Sequence, residues 1–237
     1  MKYKASIITS MFDASDYLEF LIRDVCRQTF FSECEWIVMD ANYHDEDYQK
    51  VKPVSEKNEN VRLVKLDEDK GVYDTWNQAI KISDSEYITN WNCDDRRAPW
   101  CLQRQIETLD ENPNIDLVYN VIMETYEANE TFEKNSSKNI WPCLDFSVEN
   151  LYNVNSPHNC PMWRRKIHDK CGFFDTKYKT AADYDMWVRC VLNGSKFMKI
   201  DEVLSLYYRS PVGLSTKQSA MDEAVQEFYE VRSKLVR

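Results

Sequence analysis

Residues 87–97, YITNWNCDDRR, end an apolar run on two adjacent carboxylates, Asp94 and Asp95, with Arg96 and Arg97 directly behind them. Other polar side chains fall at the ends of apolar runs in the same way. Thr9 and Ser10 close the first run, Asp40 the second, and Asp67 and Asp69 follow the third, while Asn92, Asp94 and Asp95 follow the fourth. In open α/β sheets ligands sit beyond the carboxyl ends of the strands, so these positions are candidates for one site. Acids gathered there repel one another unless a cation joins them. Hard divalent cations take carboxylate oxygens, and such a cation would in turn hold a phosphate. An isolated Asp-Asp pair reads otherwise as a turn or a cap on the helix starting near Pro99. The chain has four glycines and carries neither GxGxxG nor GxxxxGK[ST], which leaves phosphate charge to metal and arginine.

The elements that must position these residues alternate. ASIITSM reads as a buried strand, and DYLEFLIRDVC follows it with Leu18, Leu21, Ile22 and Val25 at helical spacing. EWIVMD is a second strand, ending at Asp40, and a polar segment of undefined structure comes next. VRLVKL is a third strand, GVYDTWNQAIKI a helix, EYITNWN a fourth strand, PWCLQRQIETL a helix and IDLVYNVIM a fifth strand. Alternation of this kind predicts an α/β fold, a mostly parallel sheet flanked by helices. Residues 124–157 form an irregular excursion with only VENLY suggesting a helix. Order returns with a helix at AADYDMWVRCVLNG, stopped by Gly194, and short strands at FMKI and VLSLYYR. The final KQSAMDEAVQEFYEVRSKLVR is an amphipathic helix that packs on the domain or leads to a further region.

Composition excludes several classes. A formal net charge of −10, with dispersed Lys and Arg, provides no basic stripe for nucleic acid. The eight cysteines form no CxxC pair and no zinc spacing, so free thiols in a reducing cytoplasm are expected. MKYKASIITSMF goes straight into an apolar β-branched run without the features of a signal peptide, and no run approaches the ~20 residues of a membrane span.

SIITSMFDASDYLEFLIRDVCRQTF, EWIVMDANYHDED, DKGVYDTWNQAI, EYITNWNCDD and GFFDTKYKTAADYDMWVRCVLNG, in this order, resemble the GT-A-fold glycosyltransferases of family 2, inverting enzymes that use nucleotide-sugar donors. The likeness covers roughly residues 4–215. It implies a Rossmann-like GT-A domain over 1–215, with 216–237 as a C-terminal helical segment. By position, it implies that Thr9 or Ser10 contacts the nucleoside and that Asp40 hydrogen-bonds the base, usually uracil. Asp69, Lys70 and Gly71 would lie near the nucleotide and Asn77 near the sugar. The family's DxD-like motif falls on Asn92, Cys93 and Asp94. Asn92 stands where the first Asp is usual; it can accept from a ribose hydroxyl but brings no charge, so Asp94 is the expected ligand of Mn²⁺ or Mg²⁺. His158 is a second candidate for the metal, or else an ordinary loop residue.

AADYDMW resembles the family's EDYDLW segment, which makes Asp183 the catalytic base, with Ala182 replacing the common Glu. An inverting transfer needs a carboxylate to take the acceptor's proton as the new bond forms. Asp185 lies two residues on and cannot share a helix face with Asp183, so it is expected to cap or pair. Without the motif, both would read as first-turn acids complementing a helix dipole. Arg209, in YYRSPVGLST, falls where the family closes over the diphosphate. The expected activity is transfer of a single sugar, from a UDP-sugar, to a glycan, lipid-linked or protein hydroxyl; the chain lacks the QxxRW motif and membrane helices of processive synthases. Two alternatives remain open: a nucleotide-sugar or glycan-binding module with impaired catalysis, which Asn92 and Ala182 favour, and a sugar nucleotidyltransferase, which normally opens with a Gly-rich basic loop absent here.

Overall fold

The computed structural model describes residues 1–236 apart from 42, 43, 138, 142, 214, 215, 218 and 219. The chain opens with β1 (Ala5–Met11), α1 (Ser15–Cys26), β2 (Cys34–Asp40), α2 (Asp45–Lys57), β3 (Val61–Lys65), α3 (Val72–Ile82) and β4 (Tyr87–Asn90). These strands form the parallel half of the sheet, in the order β3-β2-β1-β4. Every residue of β2 is buried, and the run from Ala5 to Thr9 in β1 is buried too, as a central parallel strand covered on both faces requires. Alternation along β1 splits the core: Ile8 packs with Tyr73 and Trp76 of α3 on one face, and Ile7 with Leu18 and Leu21 of α1 on the other.

The second half contains β5 (Arg96–Arg97), α4 (Cys101–Glu111), β6 (Leu117–Thr125), β7 (Asn139–Trp141), α5 (Val148–Asn153), β8 (Met162–Arg164), α6 (His168–Cys171), α7 (Ala182–Leu192), β9 (Phe197–Tyr208) and α8 (Met221–Arg232). The sheet continues β4-β8-β6-β9-β5, with β7 paired to β6, and here antiparallel pairs dominate. Among the described residues of this half, only β6 and β9 run parallel, with register shifts between Asn120 and Ile122. The two short strands expected at FMKI and VLSLYYR are one strand, because those irregularities absorb the polar residues between them.

The polar segment after Asp40 holds α2, whose sparse apolar spacing and internal Pro53 hid it. It is anchored by Val51, which is buried in the core, and by the buried Asp47, which accepts from the Ala14 backbone N–H at 2.8 Å and from the Ser15 hydroxyl, capping α1 from outside. Among the described residues of the 124–157 excursion, the regular elements are the end of β6, β7 and α5. All eight cysteines are free thiols, seven of them buried. No helix among the described residues is long and apolar enough to cross a membrane. The expected boundary at 215 lies outside the described residues, but α8 packs closely on α7: Phe228 stacks on Tyr184 with ring centroids 4.9 Å apart.

Candidate active site

Strand ends bring the first group of residues together. Ser10 and Met11 of β1 stand opposite Met39 and Asp40 of β2, and Cys93 reaches back to donate to the Ser10 carbonyl at 3.5 Å. Ser10, Asp40 and the 92–95 turn therefore share one edge of the sheet. Thr9 does not join them. One residue earlier in the pleat, it is fully buried and its hydroxyl accepts from Trp36 Nε1 at 3.0 Å, so of the expected pair it is Ser10 that reaches the edge.

The two carboxylates of the Asp-Asp pair have different surroundings. Asp95 is 2% exposed; its Oδ1 accepts from the Tyr208 backbone N–H at 3.2 Å and its Oδ2 from Asn92 Nδ2 at 3.0 Å. Burial first, and then the charge of Asp94, push the Asp95 carboxyl up. Asp94 is half-buried and is also pushed up by burial, with Arg96 acting in the opposite direction. Asn92 thus spends its amide on orienting Asp95 and leaves Asp94 as the acid of the turn that can meet a ligand. The two arginines are struts. Arg96 donates to the carbonyls of Asp95 and Cys93 at 2.7 and 2.9 Å, and Arg97 lies over the Trp91 ring and bonds Thr89 Oγ1 at 2.9 Å. Each is 1% exposed, which removes both from contact with a phosphate.

The Asp95–Tyr208 bond ties this edge to the end of β9, next to Arg209. There a cavity of about 450 Å³ opens, and it is lined by His158, Asp183 and Arg209 together with Trp141, Tyr207 and Phe228. Asp183 sits in the first turn of α7. Its Oδ1 accepts from the Tyr73 hydroxyl at 3.3 Å and its Oδ2 from Asn155 Nδ2 at 2.9 Å. Burial raises its carboxyl to about 6, against the lowering by the Tyr184 backbone N–H, Asn155 and Tyr73. Asp185 points the other way, pairing with Arg189 at 2.7 Å and Lys234 at 2.5 Å. His158, at φ 40°, is packed against Trp141 and Tyr207. Desolvation holds it neutral, lowering it to about 4, and its Nδ1 is buried without a hydrogen-bond partner among the described residues. Arg209 bonds Glu124 at 3.1 Å from a half-exposed position on the cavity wall.

Residues 69–71 lead into α3. Gly71, at φ 91°, takes the N-cap conformation that only glycine adopts readily, and its N–H donates to Asp69 Oδ1 at 2.8 Å. Lys70 pairs with Glu68 at 2.8 Å in solvent. This turn sets the start of the helix that presents Tyr73 to Asp183. Asn77 lies deeper in α3 and is 6% exposed; its amide donates to the Phe174 carbonyl at 2.8 Å and accepts from the Phe174 N–H at 3.0 Å. Both ends of the amide are engaged, so Asn77 clamps the loop before α7 instead of facing the cavity. Asn77→Ala should cost about 3 kcal/mol in denaturant unfolding, because two buried backbone groups lose their partners.

Sequence reasoning missed Tyr73 and Asn155. Tyr73 reads as part of an apolar helix face, and Asn155 lies in a segment without periodicity. Among the described residues no three His, Cys, Asp or Glu side chains converge as an ion-binding group.

A parallel half, an added mixed half and polar residues at the carboxyl ends of β1, β2 and β4 are the architecture of the GT-A class of glycosyltransferase domain. Within that class the chain belongs to glycosyl transferase family 2, whose model matches residues 6–172. It is 28% identical over 200 residues to an uncharacterized glycosyltransferase of Methanocaldococcus jannaschii, covering 82% of this chain and 66% of that protein. It therefore spans just under two thirds of that relative's length. Among solved structures it is similar to S. aureus TarS 1-349 in complex with UDP-GlcNAc, at a TM-score of 0.79 and 16% identity, covering 98% of this chain and 66% of that one. It is also similar to the mannosyltransferase PcManGT of Pyrobaculum calidifontis in complex with GDP-Man and Mn²⁺, at a TM-score of 0.72 and 14% identity, covering 97% and 64%. At these identities the two structures speak for the fold.

Proposed function

We propose that the chain transfers a single sugar, with inversion, from a nucleotide-sugar to an acceptor hydroxyl, and that the donor is a UDP-sugar. The observation that carries this reading is Asp183: a carboxylate raised to about 6 and oriented by Tyr73 and Asn155 in a cavity it shares with His158 and Arg209. That value suits a general base near neutral pH. The acceptor oxygen attacks the anomeric carbon, its proton passes to Asp183, and the bond to the nucleoside diphosphate breaks on the opposite face. Ser10 and Asp40 at the strand edge would take the nucleoside, and Asp69, Lys70 and Gly71 are assigned to the nucleotide by their place in the family motif. Arg209 exchanges Glu124 for the diphosphate, where a guanidinium offsets charge in a bidentate manner.

A divalent ion would be held by Asp94, the half-buried acid of the strand-end turn; His158 on the cavity wall, its Nδ1 without a hydrogen-bond partner among the described residues, is the second candidate, and with so few protein ligands the diphosphate oxygens would have to complete the set. When bound, Mn²⁺ or Mg²⁺ would neutralise the leaving diphosphate. PcManGT, whose structure contains Mn²⁺, supports that reading by fold alone.

The test is a thermal-shift screen of UDP, GDP and their sugars, each with and without Mn²⁺. A ligand at 100 times its Kd stabilises the folded chain by about 2.7 kcal/mol, a shift of several degrees. Stabilisation by a UDP-sugar that requires the metal supports the assignment. A shift without turnover on any acceptor would instead favour a binding module, and silence from every nucleotide would remove the transferase reading.

A further inference from the structure

α8 lies beyond the residues that match the family model, yet it reaches the segment just before Asp183. Glu227, 8% exposed, accepts from the Lys179 N–H at 2.8 Å through Oε1. Its Oε2 accepts from the Thr180 N–H at 2.8 Å, the Ala181 N–H at 3.0 Å and the Thr180 hydroxyl at 2.7 Å. One carboxylate thus satisfies three consecutive backbone donors. These donors lie just before α7, which begins at Ala182 with Ala181 as an N-cap lacking a side-chain bond, so Glu227 fixes the entry of the chain into the helix. The fixed turn places the Thr180 carbonyl 3.0 Å from the Tyr73 hydroxyl, which also reaches Asp183. Burial acts to raise the Glu227 carboxyl, but these donors hold it below the usual glutamate range, so the tie stays charged at neutral pH.

We infer that Glu227 is a positioning residue: from the C-terminal helix it locks the 179–181 turn and thereby sets where the Asp183 carboxylate points in the cavity. This rests on the reading of Asp183 as the base. Neighbouring contacts reinforce it. Phe228 stacks on Tyr184, and Lys234 holds Asp185, so the two positions that follow Asp183 in the same helical turn are also fixed from the C-terminal segment. Asp183 itself is faced by Tyr73 from α3, by Asn155 from the loop after α5 and by the Tyr184 N–H of its own helix, with His158 and Arg209 across the cavity.

The experiment compares Glu227→Ala and Glu227→Gln with Glu223→Gln, which breaks only the exposed pair to Lys179 on the same helix. A substrate-free readout is the ¹³C carboxyl titration of Asp183, assigned by its loss in Asp183→Asn. Its midpoint should fall from about 6 toward the ordinary carboxylate range in Glu227→Ala, as the side chain moves into water. Glu227→Gln, which keeps an acceptor oxygen, should fall between, and Glu223→Gln should match the parent. Nucleoside diphosphate release from UDP-glucose, UDP-N-acetylglucosamine and GDP-mannose should show kcat lowered about 10- to 100-fold in Glu227→Ala with donor KM unchanged, the cost of a misplaced catalytic group. An unchanged midpoint in a folded Glu227 variant overturns the inference, as does a change in KM alone; if Glu227→Ala does not fold, Glu227→Gln decides. Full activity in Asp183→Asn would instead remove the base assignment, while the titration would still report whether Glu227 governs that carboxylate.

Discussion

Asp183→Asn should lower kcat by about 10³-fold, the share general-base catalysis supplies, while donor KM stays within a few-fold of the parent. The amide keeps the shape of the carboxylate and a bond from Tyr73 or Asn155 but cannot take the acceptor's proton. In the parent, kcat should rise with pH through about 6, because the base must be ionised and burial holds its carboxyl there. Stability moves the opposite way. The folded value of about 6 lies above the ordinary aspartate value that the unfolded chain shows. The contribution of Asp183 is therefore fully present below that ordinary value and lost as pH rises through about 6, where burying the carboxylate becomes unfavourable. The variant should accordingly gain Tm over the parent above pH ~6 and lose that advantage in acid. Steady-state kinetics across pH, with melting curves on the same samples, check both signs. Parent-like kcat in the variant would exclude Asp183 as the base.

Asp94→Ala is expected to have the second large effect. It removes the acid of the Asp-Asp turn that remains open to a ligand, while Asp95 stays bonded to Asn92 and Tyr208 and preserves the turn. Metal-dependent stabilisation by a nucleotide-sugar should vanish, and kcat/KM should fall by about 10³-fold, several kcal/mol of lost charge neutralisation. Asp95→Asn should behave differently. Its carboxyl is buried and pushed up, so a neutral side chain is tolerated electrostatically, and the cost should fall on the link to β9. Isothermal titration of Mn²⁺ with UDP separates the two variants. Equal binding by Asp94→Ala and the parent would move the metal assignment elsewhere.

The pattern of apolar runs was enough to place β1, β2, β3, α3, β4 and α7, because buried parallel strands and amphipathic helices carry their periodicity in the chain. It was also enough to bring the polar strand ends to one edge, since parallel strands all point the same way. The motif order indicated the family that the residue 6–172 match established. α2 escaped because only Val51 and Val54 of it pack on the core, and the bonds of Asp47 that also fasten it are tertiary.

The sequence by itself determined which residue types stand at the strand ends and at the start of α7: Ser10, Asp40, Asp94 and Asp183 follow from local order alone. Only the tertiary structure decided which of them face the site. Pleat direction takes Thr9 into the core, and two bonds to one backbone residue turn Asn77 into a clamp. The environment of Asp183 is assembled from α3, the segment after α5 and, through Glu227, α8, residues between 28 and 110 positions away from it in places where no local pattern marks them. Hydrogen bonds across such separations depend on how layers pack, and burial sets the carboxyl's proton affinity only once those layers have closed around it.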